Sequence, residues 1–279
     1  MSEMDSELAA VDLQAWEELV VVKLGGTTLV AGGENGAGML DDISAARRRR
    51  SLVLVHGGGN RLTEWLERLG VESRFVDGRR VTDEQSLEAA IAVFAGLVNT
   101  ELVAQLNVVG LPAVGLTGID GRLLSARRSP QLGRVGRVEG ASPSLVYALL
   151  AGGNLPVVAP LALDERGEVC NVNADEVAAA LAGALGARLV LLTDTDGVLD
   201  SDGQPLRELD ELAAQQLMAE SVIRGGMVPK VEGALAALRS GAGEVVIADG
   251  RAAGAVGRAL DDPSFGTRLR RALNEESDE

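Results

Sequence analysis

Two stretches of this chain place a polar, chemically capable residue directly before a run of glycines. Val21-Val22-Lys23-Leu24-Gly25-Gly26 ends a β-branched run in a lysine and two glycines. Such a run reads as a buried strand. Glycines at its end let bare backbone N–H groups approach an anion, and the lysine adds a point charge. The second stretch, Leu52-Val53-Leu54-Val55, leads into His56-Gly57-Gly58-Gly59-Asn60, with a helical pattern from Arg61 onward. Three successive glycines between strand and helix are costly unless the backbone bends sharply or touches something. Two such turns in neighbouring units can cradle one polyphosphate from two sides, at the carboxyl edge of a parallel sheet. His56 is the only histidine. Its place before a glycine turn suits orienting the loop better than acting as a base.

A third glycine turn, Gly225-Gly226-Met227-Val228-Pro229-Lys230, carries a second conspicuous lysine ahead of a helix expected over 231–239. Cations elsewhere are overwhelmingly arginine, so Lys23 and Lys230 stand apart. Arg74, Arg79 and Arg80 form a cluster, and an arginine fork grips a carboxylate at two points. That cluster is a candidate for a carboxylate substrate. Thr82 is placed to cap the following helix, with Gln85 at capping-box spacing. Cys170-Asn171-Val172-Asn173-Ala174-Asp175 presents short polar groups at a strand-to-helix junction. One reading is helix capping. The functional reading has Asn171 holding substrate and Asp175 holding lysine ammonium groups. Cys170 lacks a neighbouring base and is a poor nucleophile.

The elements that must position these residues alternate along the chain. Strands are expected at 21–24, 52–55, 113–116, 155–163, 189–192 and 245–248, with a hairpin over 123–138. Helices are expected at 41–50, 84–106 with an interruption near Gly96, 142–152, 176–186 and 209–219. Residues 32–38 read as a mobile loop, and Arg47 to Arg50 as a solvated helix end. Such alternation predicts an α/β fold with an open, mostly parallel sheet covered on both faces. Apolar residues make up 46% of the chain and aromatics only 2%, so the core must be Leu, Val and Ala. A net charge of −15 argues against nucleic acid and anionic membranes as partners. One cysteine excludes an intrachain disulfide, and no Cys/His metal cluster can form. Residues 1–18 are acidic without a long apolar core, so a cytoplasmic location is expected. Leu8, Val11, Leu13 and Trp16 suit a short amphipathic helix, and the segment past Arg271 reads as a polar tail. Neither G-x-G-x-x-G after the first strand nor G-x-x-x-x-G-K-[ST] is present.

In order along the chain, the two glycine turns, Gly78-Arg79-Arg80-Val81-Thr82, Asn171 to Asp175, Leu192-Thr193-Asp194 and Gly225 to Lys230 resemble the amino-acid kinase family. The resemblance runs from about Val21 to Leu269. It is closest to members that phosphorylate the side-chain carboxylate of N-acetyl-L-glutamate in arginine synthesis. It implies a three-layer α/β/α sandwich, usually homodimeric, with ATP and Mg²⁺ as cofactors and the metal held mainly by ATP oxygens. It implies an extension at 1–20, a kinase domain at 21–272 and a tail at 273–279. Within the domain, about 21–180 would hold the acyl amino acid and about 181–272 the ATP. Lys23 and Lys230 would contact the migrating phosphoryl group, with Asp175 organising both. Backbone N–H groups of Gly25, Gly26 and Gly58 would contact it too. Gly57, Gly58, Arg80 and Asn171 would serve the substrate, the last two its α-carboxylate. Thr193, Asp194, Gly197 and Met227 would line the nucleotide site. No protein metal ligand is implied.

The carboxylate nucleophile of such a reaction is already ionised at neutral pH and needs no base. Ile119 stands where the acetylglutamate enzymes often have lysine, and Asp120-Gly121-Arg122-Leu123 and Ala248-Asp249-Gly250-Arg251 also resemble kinases of lysine synthesis. Those act on aminoadipate, N-acetylated or linked to a small acidic carrier protein, for which Arg122, Arg127 and Arg128 would be the attracting patch. The extension before Val21 is shorter than the helix that builds arginine-sensitive hexamers in some relatives. A non-catalytic nucleotide-binding regulatory or storage protein is the reading of another class, and retention of Lys23, Lys230 and Asp175 argues against it.

Overall fold

The computed structural model describes residues 18–25, 34–76 and 78–271. The segment around Trp16, Gly26, the first part of the expected 32–38 loop and the tail from 272 lie outside them. In chain order the first elements are β1 (Leu19–Leu24), α1 (Glu34–Arg47), β2 (Ser51–His56), α2 (Gly59–Arg68), β3 (Phe75–Val76) and β4 (Arg79–Arg80). The long helix α3 (Glu84–Val108) follows, then β5 (Ala113–Thr117), β6 (Leu124–Arg128), β7 (Gly136–Ala141) and α4 (Ser144–Ala151). Next come β8 (Leu155–Ala159), β9 (Leu161–Asp164), β10 (Val169–Asn171), α5 (Ala174–Leu185), β11 (Arg188–Thr193) and β12 (Glu208–Leu209). The chain closes with α6 (Glu211–Ala219), α7 (Met227–Arg239), β13 (Val245–Asp249), α8 (Ala255–Asp261) and β14 (Thr267–Leu269).

Eight strands form the central sheet in the order β12-β14-β13-β11-β1-β2-β8-β5. All pairs are parallel except β13 with β14. The winding reverses at β1, which pairs with β2 on one side and β11 on the other. The crevice outside the carboxyl ends at such a reversal is where open α/β sheets bind ligands. Two apolar layers cover the sheet. Val21, Val53, Leu189 and Val245 face a cluster with α5 and α7, while Val20, Val22, Leu52 and Val190 face a cluster with α1 and α8. Lys23 shares the parity of Val21 and therefore emerges beneath the start of α5.

Several sequence expectations are corrected by these elements. The strand expected over 155–163 is two strands in different sheets, because Pro160 cannot extend the ladder. β9 and β10 join the hairpin of β6 and β7 in a separate four-stranded sheet. α1 is formed from Glu34, within the expected loop. Arg50 is no solvated helix end but is buried between Glu18 and Asp261. Asp83, not Thr82, caps α3, accepting from the Ser86 N–H at 2.8 Å. α7 starts at Met227, four residues earlier than expected, since proline is tolerated in a helix's first turn. The interruption near Gly96 is a π-helical stretch, Ala92–Val98, inside a continuous helix. α3 is long and apolar enough to cross a membrane by length and composition alone. Here its Leu102 and Leu106 pack against the central sheet.

Candidate active site

Lys23 ends β1 and Asp175 opens α5, so the sheet and the helix bring them together. Lys23 Nζ lies 2.9 Å from Asp175 Oδ1, and Lys230 Nζ donates to Oδ2 at 2.8 Å. These are the only lysines in the chain. Burial alone would raise the Asp175 carboxyl, but the two ammonium groups outweigh it and hold the carboxyl below the usual carboxylate range. Asn173 caps α5, accepting from the Asp175 N–H at 2.7 Å. The junction therefore serves capping and the lysines together. A lysine in the first turn of α7 opposes the helix dipole, whereas Asp175 suits that of α5. The carboxylate reconciles the two.

Around this triad lies a cavity of about 370 Å³. Lys23, Gly25, Gly57, Gly58, Arg80, Asn171, Asp175, Thr193, Asp194 and Lys230 all line it. Gly197 and Met227 do not. Gly197 packs against β14, where an added Cβ would come within 2.5 Å of Thr267 Oγ1. Met227 packs partly buried against the core at the start of α7. Gly26 lies outside the described residues. Gly58 has φ of 149°, and an added Cβ would meet the Phe94 ring at 3.1 Å and Val98 at 3.3 Å. The backbone there has neither the conformation nor the room for a side chain.

The opposite wall carries Arg80, which is buried and whose pKa burial lowers. Its guanidinium donates to Gly59 O at 3.1 Å, to Thr63 Oγ1 at 2.6 Å and to Ser73, and lies 4.6 Å from the Phe75 ring centroid. Thr82 Oγ1 donates to Arg80 O at 3.1 Å and accepts from Asn171 Nδ2 at 3.3 Å. One hydroxyl thus ties both candidate substrate holders. Thr82, Phe75 and Asn99 were not among the sequence candidates for the site. An asparagine inside an apolar helical run was the available signal for the last. Arg79, by contrast, is taken up by Glu176. Arg127 pairs with Glu139, and Arg128 lies 2.7 Å from Asp164 and from Glu168, so two of the three carrier-patch arginines are already neutralised.

His56 is fully buried and its pKa is pushed down to about 4, by burial. It is neutral and out of reach of any substrate. Among the described residues no group of three or more His, Cys, Asp or Glu could hold a metal ion. Asp175 is committed to the lysines, leaving Asp194 as the remaining acid on the cavity wall. The arrangement can neutralise and align a phosphoryl group between two ammonium groups and glycine backbone. It holds a fixed guanidinium on the far side.

A three-layer α/β sandwich with two lysines converging at its switch point places this chain among phosphoryl-transfer proteins, and comparison with known sequences agrees. The chain belongs to the amino acid kinase family, whose sequence model matches residues 18–249. An acetylglutamate kinase of Solibacter usitatus (strain Ellin6076) is 45% identical over 252 residues, covering 90% of this chain and 98% of the relative. An acetylglutamate kinase of Rubrobacter xylanophilus (strain DSM 9941 / JCM 11954 / NBRC 16129 / PRD-1) is 46% identical over 253 residues, covering 90% and 96%. Among solved structures, N-acetylglutamate synthase from Neisseria gonorrhoeae, complexed with coenzyme A and N-acetyl-glutamate, matches with a TM-score of 0.79 at 26% identity. That match covers 97% of this chain and 64% of the synthase chain. Carbamate kinase from Giardia lamblia bound to AMP-PNP, at 16% identity and a TM-score of 0.66 over 91% of this chain and 98% of that one, shares the fold.

Proposed function

We propose that this chain transfers the terminal phosphoryl group of ATP to the side-chain carboxylate of N-acetyl-L-glutamate, a step of arginine biosynthesis. A carboxylate oxygen forms the new P–O bond, the bond to the ADP oxygen breaks, and no proton moves. The observation that carries the reading is the Lys23–Asp175–Lys230 triad facing Arg80 and Asn171 across one cavity. The two ammonium groups meet the charge of the migrating phosphoryl group, aided by N–H groups at Gly25 and Gly58. Arg80, already fixed by three acceptors, holds the substrate's α-carboxylate with Asn171. Thr193 and Asp194 border the nucleotide, in the lobe of about 181–272, and the acyl amino acid occupies the lobe of about 21–180. Mg²⁺ fits a wall with so few free acids only if it is held mainly by ATP oxygens, as magnesium commonly is. When bound it neutralises phosphate charge. A cytoplasmic homodimer belongs to the same reading.

The test is ATP turnover with N-acetylglutamate, N-acetylaminoadipate and carrier-linked aminoadipate side by side, with light scattering for the dimer. Turnover with the first is expected. Turnover only with either aminoadipate substrate defeats the reading.

A further inference from the structure

We infer that His56 and Asn99 form a positioning pair that aims the Gly58 N–H into the cavity; the inference rests on the function proposed above. His56 Nδ1 lies 2.7 Å from Gly57 O, and Nε2 lies 3.0 Å from Asn99 Nδ2. A carbonyl only accepts, so Nδ1 must carry the hydrogen. In a neutral imidazole Nε2 is then bare and accepts from the Asn99 amide. The same amide nitrogen donates its other hydrogen to Val157 O at 3.0 Å. Every donor is matched to one acceptor, which leaves a single tautomer and a single amide orientation.

The room for this pair is built in. Opposite Asn99 Oδ1, a Cβ on Gly115 would come within 2.0 Å, so only glycine there admits the asparagine. Asn99 follows directly on the π-helical stretch that carries Phe94 and Val98 to the back of Gly58. One helical segment therefore both backs the glycine turn and supplies the partner of His56.

The consequence follows from peptide geometry. Among the described residues there is no cis peptide, and in a trans peptide the C=O and the N–H point in opposite directions. Holding Gly57 O against the buried imidazole turns the Gly58 N–H the other way, toward the side where Gly58 lines the cavity. Burial, which keeps the ring neutral, preserves the tautomer that the geometry demands. His56 touches no reacting atom and acts through the backbone alone.

Because the chain has one histidine, a ¹⁵N-histidine spectrum reports a single ring. At neutral pH the expected form is the Nδ1–H tautomer with Nε2 bare. An Nε2–H tautomer or an imidazolium would overturn the inference without any variant. The second arm uses amides as partial replacements. An asparagine nitrogen reaches the Nδ1 position, and a glutamine nitrogen the Nε2 position. His56→Asn is expected to keep kcat within about threefold, whereas His56→Gln and His56→Leu lose about 10- to 100-fold. Equal losses in the Asn and Gln variants, or losses that follow the melting temperature alone, would show a structural role only. Absence of turnover in the unaltered chain would defeat the proposed reaction instead, leaving the tautomer to decide this inference.

Discussion

At the scale of single residues, the site is a balance of two ammonium groups against one carboxylate. On the proposed function, removing either cation would leave part of the migrating charge unmet. Lys23→Ala and Lys230→Ala are each expected to lower kcat by about 100-fold or more, measured by steady-state ADP release. Arg80 acts at the other wall, where its planar fork is held by Thr63, Gly59 O and the Phe75 face. Lysine cannot reproduce that geometry. Arg80→Lys should therefore raise KM for the acyl amino acid at least tenfold while changing KM for ATP little. Equal changes in both constants would remove Arg80 from the substrate side. The lysines, the arginine and the Asp175 cluster were all readable from residue type and spacing. Gly197 was not readable in the same way: its glycine answers to the close approach of Thr267 from a strand 70 residues later.

At the scale of elements, the β-branched runs ending in glycine located β1 and β2 correctly, because fully buried parallel strands need apolar residues on both faces. The β6–β7 half of the second sheet was expected as a hairpin, but β9 escaped the sequence reading because one residue, Pro160, separates it from β8 in one unbroken apolar run. The π-helical stretch in α3 left only a hint at Gly96, since what it positions, Phe94, Val98 and Asn99 against the turn of β2, is a tertiary matter. Capping from a distance is equally invisible in sequence. The start of α8 has no side-chain cap of its own. Asp42 on α1 instead accepts from the N–H groups of Val256 at 2.6 Å and Gly257 at 3.0 Å. Asp42→Ala is expected to destabilise the fold by about 1 kcal/mol in urea unfolding, with kcat unchanged.

At the scale of the whole molecule, the two edges of the central sheet do different work. The carboxyl edge bears the cavity. At the amino edge, Glu18, Arg50, Arg188 and Glu244 stand at or just before the starts of β1, β2, β11 and β13. Arg188 is bound to Glu18 and Glu244, and Glu244 also meets Arg268 at 3.0 Å and Arg270 at 2.7 Å. Glu244→Ala would leave the buried Arg268 without its carboxylate, and a loss of about 3 kcal/mol is expected in denaturant unfolding. Acidification acts on this edge and on His56 in the same direction. Burial raises Glu244 but its arginines outweigh that, holding its carboxyl low, so its contribution is present above its ordinary value and lost as pH falls below it. His56 is lowered from 6.5 to about 4, so its stabilisation is complete above 6.5 and is lost as pH falls toward 4, amounting to about 3 kcal/mol. Unfolding free energy should therefore decline steadily from pH 7 to pH 4, and a flat profile would contradict the burial of that ring. Among the described residues, every ion pair outside the Asp175 triad uses arginine. Apart from its terminus, this polypeptide carries primary amines only on Lys23 and Lys230, the two partners of Asp175. On the proposed function, a mild acylating reagent thus becomes a titrant of working sites: it should silence turnover, spare the guanidinium scaffold, and meet resistance wherever nucleotide already occupies the cleft.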